Sequence, residues 1–252
     1  MAFSIALSGK GGTGKSTIAA LIVRWLIENR NKTVFAVDAD PNYTLGAALG
    51  VKVMGTVSDL RDDVLKEKLA IAPGMSKPRM VEYLIEQLIS EGNKFDLLTM
   101  GRPEGPDCYC YVNHLLRDYL KKISERNSYV VIDNEAGMEH LSRMTTNNVQ
   151  VLFIVGDETP VALRAVKRIY ELSNKLPINI EKRFFILNRK RRDAPFNNSI
   201  FSDNGLECAG TIPFDGELEE IFAGERPIFE LKGDSPAYRA VGEMLSRLIP
   251  KI

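Results

Sequence analysis

What this 252-residue sequence has little of narrows it before any motif is read. Cysteine is scarce, three in all, so a disulfide framework is not expected, and a close cysteine pair points instead to metal or redox chemistry. Net charge is absent too, because 33 Lys and Arg balance 33 Asp and Glu. No long-range field then draws the chain to nucleic acid or anionic lipid, and neither is expected as a partner. Long apolar runs are missing: Val149 to Val155 is strand-sized and too short to span a bilayer. The start, Met1-Ala2-Phe3-Ser4, shows neither a basic leader nor an apolar signal core. The amphipathic end, Ala237 to Ile252, has few basic residues and reads as a helix closing the core rather than an anchor. The expected compartment is the cytoplasm.

What is there is an alternation of short apolar runs with helical patterns, the mark of a parallel sheet wrapped by helices. Strands are expected at Phe3 to Ser8, Thr33 to Val37, Phe95 to Met100, Tyr129 to Ile132, Val151 to Val155, Arg183 to Leu187 and Cys208 to Ile212. Helices are expected at Lys15 to Asn29, Arg79 to Ser90, Tyr111 to Glu125, Glu139 to Thr145, Pro160 to Asn174, Gly216 to Phe222 and Ser235 to Leu248. The stretch from Asp40 to Ser76 reads as irregular. With no repeat, low-complexity tract or linker, residues 1–252 are expected to form one doubly wound α/β domain, a mostly parallel sheet flanked by helices.

The first strand runs into Gly9-Lys10-Gly11-Gly12-Thr13-Gly14-Lys15-Ser16-Thr17, which satisfies the phosphate-loop spacing between a strand and a helix. Side-chain-free glycines let successive backbone N–H groups curl around phosphate oxygens, and the helix N-terminus adds partial positive charge. Lys15 can reach the β- and γ-phosphates of a nucleotide, and the Ser16 hydroxyl can ligate magnesium. The plainer alternative is a glycine-rich turn that only joins strand to helix.

Lys10 narrows the motif. The string resembles the deviant Walker A loop of the ATPase family that includes MinD, ParA, nitrogenase iron protein and ArsA. The resemblance implies a homodimer in which Lys10 reaches the partner's nucleotide, as an arginine finger does. A solvated loop lysine is the simpler account. Val37-Asp38-Ala39-Asp40-Pro41-Asn42 places two carboxylates at a strand's carboxyl end, the edge where open α/β sheets bind ligands. It resembles that family's switch I, which implies that Asp40 orients or deprotonates the attacking water and Asp38 supports the magnesium shell. Val130-Val131-Ile132-Asp133 has the form of a Walker B strand, with Asp133 on Mg2+ directly or through water, and Gly137 falls in a switch II loop. Asn188-Arg189 resembles the family's adenine-reading position, with Asn188 on the base, and Ile212-Pro213-Phe214-Asp215 resembles the segment that packs on adenine. The Asp that reads guanine is missing, so ATP is expected over GTP. Asn188 as a plain strand-end cap is the alternative.

Cys108-Tyr109-Cys110 is the feature that separates this chain from its many relatives. Residues two apart on an extended segment point to one side, so both sulfurs can face one ion. Two thiolates leave a four-coordinate site incomplete, and a two-fold dimer supplies two more. Tetrahedral sulfur ligation suits Zn2+ and a square-planar arrangement Ni2+. Two incidental thiols beside a turn are the other reading. The stretch Gly101 to Arg117 and the string Asp133-Asn134-Glu135-Ala136-Gly137-Met138-Glu139-His140 resemble the CooC-type nickel-insertion ATPases of carbon monoxide dehydrogenase maturation. That resemblance implies an ATP-gated metallochaperone with Cys108 and Cys110 at the dimer interface and the dehydrogenase as client. His114, His140 and Glu135 receive no firm role, and Cys208 reads as a small core residue. Two other functions stay in view, an iron–sulfur carrier or reductase and a MinD- or ParA-like positioning ATPase.

Overall fold

The computed structural model describes residues 2–65, 76–102, 118, 121–122, 126–136, 148–191 and 205–250. Its centre is an eight-stranded sheet: β1 (Phe3–Gly9), β2 (Val34–Ala39), β3 (Ser90–Glu91), β4 (Phe95–Thr99), β5 (Tyr129–Asn134), β6 (Asn148–Gly156), β7 (Asn179–Lys190) and β8 (Glu207–Pro213). The spatial order is β3-β4-β2-β5-β1-β6-β7-β8. Every pairing is parallel except β3 with β4, at one edge. Strands buried on both faces read as continuous apolar runs, and Val34–Ala39 is buried throughout for that reason.

Helices cover both faces. Among the described residues these are α1 (Lys15–Arg30), α2 (Thr44–Leu49), α3 (Val57–Leu65), α4 (Lys77–Leu88), α5 (Pro160–Ser173), α6 (Gly216–Ala223) and α7 (Pro236–Leu248). On one face Ile5, Leu7, Ala36 and Val131 pack beneath Ile18, Leu21 and Ile22 of α1 and Val241 and Leu245 of α7. On the other, Ala6, Val37, Ile132 and Ile154 meet Leu60 of α3, Ile85 of α4 and Val166 of α5. The doubly wound architecture expected from the alternation is the one found. Local chemistry sets the helix starts: Thr159 accepts from the Ala162 N–H ahead of α5, and Ser235 accepts from the Tyr238 N–H ahead of α7, each with Pro at the first helical position.

Differences from expectation lie where local signals are weak. The stretch expected to be irregular holds α2 and α3. Helix α2 is six residues long, follows Tyr43 in a left-handed conformation (φ 53°) and has no side-chain cap, so the usual start signal is missing. The short antiparallel β3 is likewise too brief to leave a period. The expected helix at Glu139 to Thr145 and most of that at Tyr111 to Glu125 lie outside the described residues, as do Cys108, Cys110, His114, Gly137 and His140. Among the described residues no helix is long and apolar enough to cross a membrane.

Candidate functional site

The sheet's connections diverge at β1: the chain turns to β2 and β4 on one side and reaches β6, β7 and β8 on the other. Crevices of this kind, at the carboxyl edge, are where such sheets bind ligands. The loop after β1 fits there because two glycines permit it. A Cβ on Gly9 would stand 2.4 Å from the carbonyl oxygen of Val155 on β6. Gly14 has φ +87° and would place a Cβ 2.4 Å from Nδ2 of Asn188. The Thr13 hydroxyl donates to the Lys10 carbonyl at 2.8 Å and closes the loop on itself. Lys10 and Gly11 face outward, exposed, while Thr13 is buried.

Two strand ends, those of β2 and β5, aim acidic groups at this loop. Asp38 on β2 stands beside Asp133 on β5, in register, and Leu7 of β1 pairs with Asp133 from the other side. The two carboxylates are differently occupied. Asp38 accepts the Leu45 N–H at 2.9 Å and the Asp40 N–H at 3.2 Å, which pins the start of α2 to the strand end. Asp133 is fully buried, and among the described residues neither of its oxygens meets a partner within hydrogen-bond distance, the Ser16 hydroxyl standing nearby. Burial pushes its carboxyl up to about 7, the neighbouring Asp38 adds to the rise, and the Ser16 hydroxyl and Lys15 ammonium oppose it. Burial also raises Asp38, to about 6, against the backbone bonds from Leu45 and Asp40. Asp40 lies 3.5 Å from Lys15 Nζ, with Lys15 only 5% exposed, and it accepts from both nitrogens of Asn42.

An unpartnered buried carboxylate beside a hydroxyl is a donor set suited to a hard divalent cation. Ser16 and Asp133 would hold Mg2+, with Asp38 behind them. When bound, such an ion neutralises charge on the phosphates. Thr44, passed over in the sequence, donates its hydroxyl to Ser16 Oγ at 2.7 Å and ties α2 to the loop.

The opposite wall comes from β7 and β8. Asn188 Nδ2 donates to the Thr13 carbonyl at 2.8 Å, so in this state it buttresses the loop as well as lining the cleft. Arg189, at φ 53° beside a register shift between β7 and β8, donates to the Gly12 carbonyl at 3.1 Å and pairs with Glu219 of α6 at 3.2 Å. The Arg191 guanidinium lies 4.0 Å over the Phe214 ring. Asn188, Arg189 and Glu219 face the loop across a cleft of about 680 Å³ that is also lined by Gly11, Gly12, Gly14, Lys15, Ser16, Thr17, Asp40 and Pro213. The structure thus gathers the sequence-derived phosphate, carboxylate and base residues around one opening, with Asp38 and Asp133 beneath. Cys108 and Cys110 lie outside the described residues; among those described, no group of three or more His, Cys, Asp or Glu is arranged to hold a metal.

A phosphate loop, a buried acidic pair and a base-sized cleft at the switch point define a nucleotide-binding P-loop domain. Residues 4–228 match the family model of the CobQ/CobB/MinD/ParA nucleotide-binding domain, and the chain belongs to that family. It is 36% identical over 250 residues to an uncharacterized ATP-binding protein of Methanocaldococcus jannaschii, covering 98% of each chain. It is 29% identical over 246 residues to the carbon monoxide dehydrogenase accessory protein CooC of Rhodospirillum rubrum, covering 93% of this chain and 91% of that one. The fold is similar to the crystal structure of a ParA family ATPase from Chlorobium tepidum TLS, with a TM-score of 0.72, 19% identity and 96% of each chain covered.

Proposed function

We propose that residues 1–252 act as one ATPase domain that hydrolyses Mg-ATP in the cytoplasm and couples the reaction to delivery of a metal ion. In this reading the loop N–H groups of Gly9, Gly11, Gly12, Thr13 and Gly14, with Thr17, cradle the phosphates, and Lys15 exchanges Asp40 for the β- and γ-phosphates. Ser16 and Asp133 take Mg2+, with Asp38 fixing the loop behind. Asn188 and Pro213 receive adenine. Asp40, released by Lys15, orients a water on the γ-phosphorus and accepts its proton as the bond to the bridging oxygen breaks. Lys10, exposed at the loop's outer side, reaches a second copy's nucleotide across a homodimer and stabilises the charge that develops there.

The cargo is Ni2+ or Zn2+, held by Cys108 and Cys110 of two subunits, and the client is a metalloenzyme such as carbon monoxide dehydrogenase. The observation that carries this reading is the full-length likeness to CooC in a chain that also contains the C-x-C pair. Equilibrium Ni2+ and Zn2+ titration, run anaerobically with ATP analogue, ADP or no nucleotide, tests it. One ion per dimer is expected, and the paired changes Cys108→Ala and Cys110→Ala should abolish tight binding. Stoichiometry retained by that variant would reject the site.

A positioning ATPase is the second reading, favoured by the likeness to the ParA family structure. ATP-dependent sedimentation with liposomes or DNA would support it, at the expense of metal delivery.

A further inference from the structure

We infer that Asp215 is a positioning residue for the nucleotide base, a single carboxylate that ties the base wall of the cleft to two helix starts at once. The inference rests on the ATP reading above and adds a determinant of base affinity outside the phosphate loop. Asp215 lines the cleft beside Pro213 and is 7% exposed. Its Oδ1 accepts the N–H groups of Glu217 at 3.1 Å and Leu218 at 3.2 Å, capping α6. Its Oδ2 accepts the Ser235 hydroxyl at 2.6 Å and the Ala237 N–H at 3.2 Å, at the start of α7. Ser235 itself caps α7 through the Tyr238 N–H.

Four donors on one buried carboxylate are unusual for a group needed only as a cap, since one oxygen would satisfy α6. Both helix starts also present partial positive charge to it. Burial alone would raise its pKa, yet the bonds from Ser235, Ala237, Leu218 and Glu217 outweigh burial and hold it below the ordinary value. The residue before it closes the wall: the Phe214 N–H donates to the Lys190 carbonyl at 3.0 Å, so Pro213 to Asp215 is fastened to the same β7 end that carries Asn188. Removing the Oδ2 bonds frees this wall from α7, while the loop that takes phosphates keeps its own contacts through Thr13 and Lys10. Base affinity should therefore separate from phosphate affinity.

Isothermal titration of ADP and of inorganic tripolyphosphate against the wild type, Asp215→Ser and Asp215→Ala provides the test, with thermal melts alongside. Serine keeps a good cap for α6 but cannot reach the α7 start. Both variants should bind ADP about tenfold or more weakly than wild type, with tripolyphosphate affinity unchanged within about twofold. Equal loss for both ligands with a lowered melting temperature would make Asp215 merely structural and overturn the inference, as would unchanged ADP affinity in Asp215→Ala. A wild type that takes tripolyphosphate but not ADP would instead remove the nucleotide reading, and this inference with it.

Discussion

Asp38 and Asp133 stand opposite each other in register on adjacent parallel strands, one carboxylate engaged by backbone N–H groups and the other without a hydrogen-bond partner among the described residues. Their inequality divides the labour at the carboxyl edge. Asp38 builds the loop that carries Asp40, and Asp133 is the carboxylate that the proposed function assigns to Mg2+.

That division has a pH signature. Both folded-state values lie above the ordinary 3.8, Asp133 at about 7 and Asp38 at about 6. The folded chain therefore holds protons that the unfolded chain has released, and stability falls as pH rises from about 4 through about 7. Without Mg2+ the protein should be more stable near pH 5 than near pH 8, by about 1–3 kcal/mol. Asp133→Asn should remove most of this difference and raise stability at pH 8, while Mg2+-dependent ATP binding is lost. Chemical denaturation at both pH values, with and without Mg2+, checks both; a variant less stable at pH 8 than wild type would show that Asp133 is paired after all.

Asp40 and Lys15 make a buried contact that a bound γ-phosphate must replace. Asp40→Ala releases Lys15 and leaves the phosphate loop intact, so ATP affinity should stay within about threefold of wild type or tighten. Turnover should fall by about 100-fold or more, because in the proposed mechanism this is the group that orients and deprotonates water. Single-turnover hydrolysis beside equilibrium binding separates the two effects, and a variant that loses affinity but keeps its rate would reverse the roles.

Lys10 is exposed, and among the described residues it is held through its backbone carbonyl, which accepts from Thr13. Lys10→Ala should bind ATP as wild type does yet lose about 1,000-fold in hydrolysis, or fail to dimerise with ATP, if the lost charge acts on a partner's nucleotide as proposed. Mixing it with an Asp40→Ala chain should restore part of the rate in heterodimers, an outcome that a Lys10 acting within its own subunit cannot give.

The alternation of Val- and Ile-rich runs with helical periods made the sheet, its direction and the phosphate loop readable, because burial on both faces leaves unbroken apolar strands. Asp40 and Asn188 were readable as strand-end groups in register with a known motif. Thr44 was not: its role comes from α2, a helix with no cap signal, folding back onto Ser16. The tie from Asp215 to α7 was not readable either, because its partners Ser235 and Ala237 are 20 and 22 residues away. Which of two neighbouring carboxylates is occupied depends on where the chain after β2 returns, and periodicity carries no record of that.

Arg24 shows the same limit on the far side of the core. The helical period around Ile18, Leu21, Trp25 and Leu26 leaves a charged residue at 24 looking like a solvated position, yet it is 6% exposed. Its Nη1 donates to the carbonyls of Ile228 at 2.9 Å and Leu231 at 2.6 Å, and its Nε donates to Glu28 at 2.8 Å. The guanidinium lies 4.4 Å over the Tyr238 ring, whose hydroxyl donates to Glu28 as well. One side chain thus fastens α1, which carries the phosphate loop, to α7 and to the turn after α6. Arg24→Met keeps the aliphatic volume but takes the Arg24 donor from the Leu231 carbonyl and leaves the Ile228 carbonyl with the Leu231 N–H alone, and should cost about 1–3 kcal/mol in urea denaturation. Glu28→Gln, which keeps an acceptor for both Arg24 and Tyr238, should cost about 1 kcal/mol or less. If the two variants proved equally stable, the Leu231 carbonyl would be satisfied without Arg24, and the charge would be no more than a tolerated passenger in the helix.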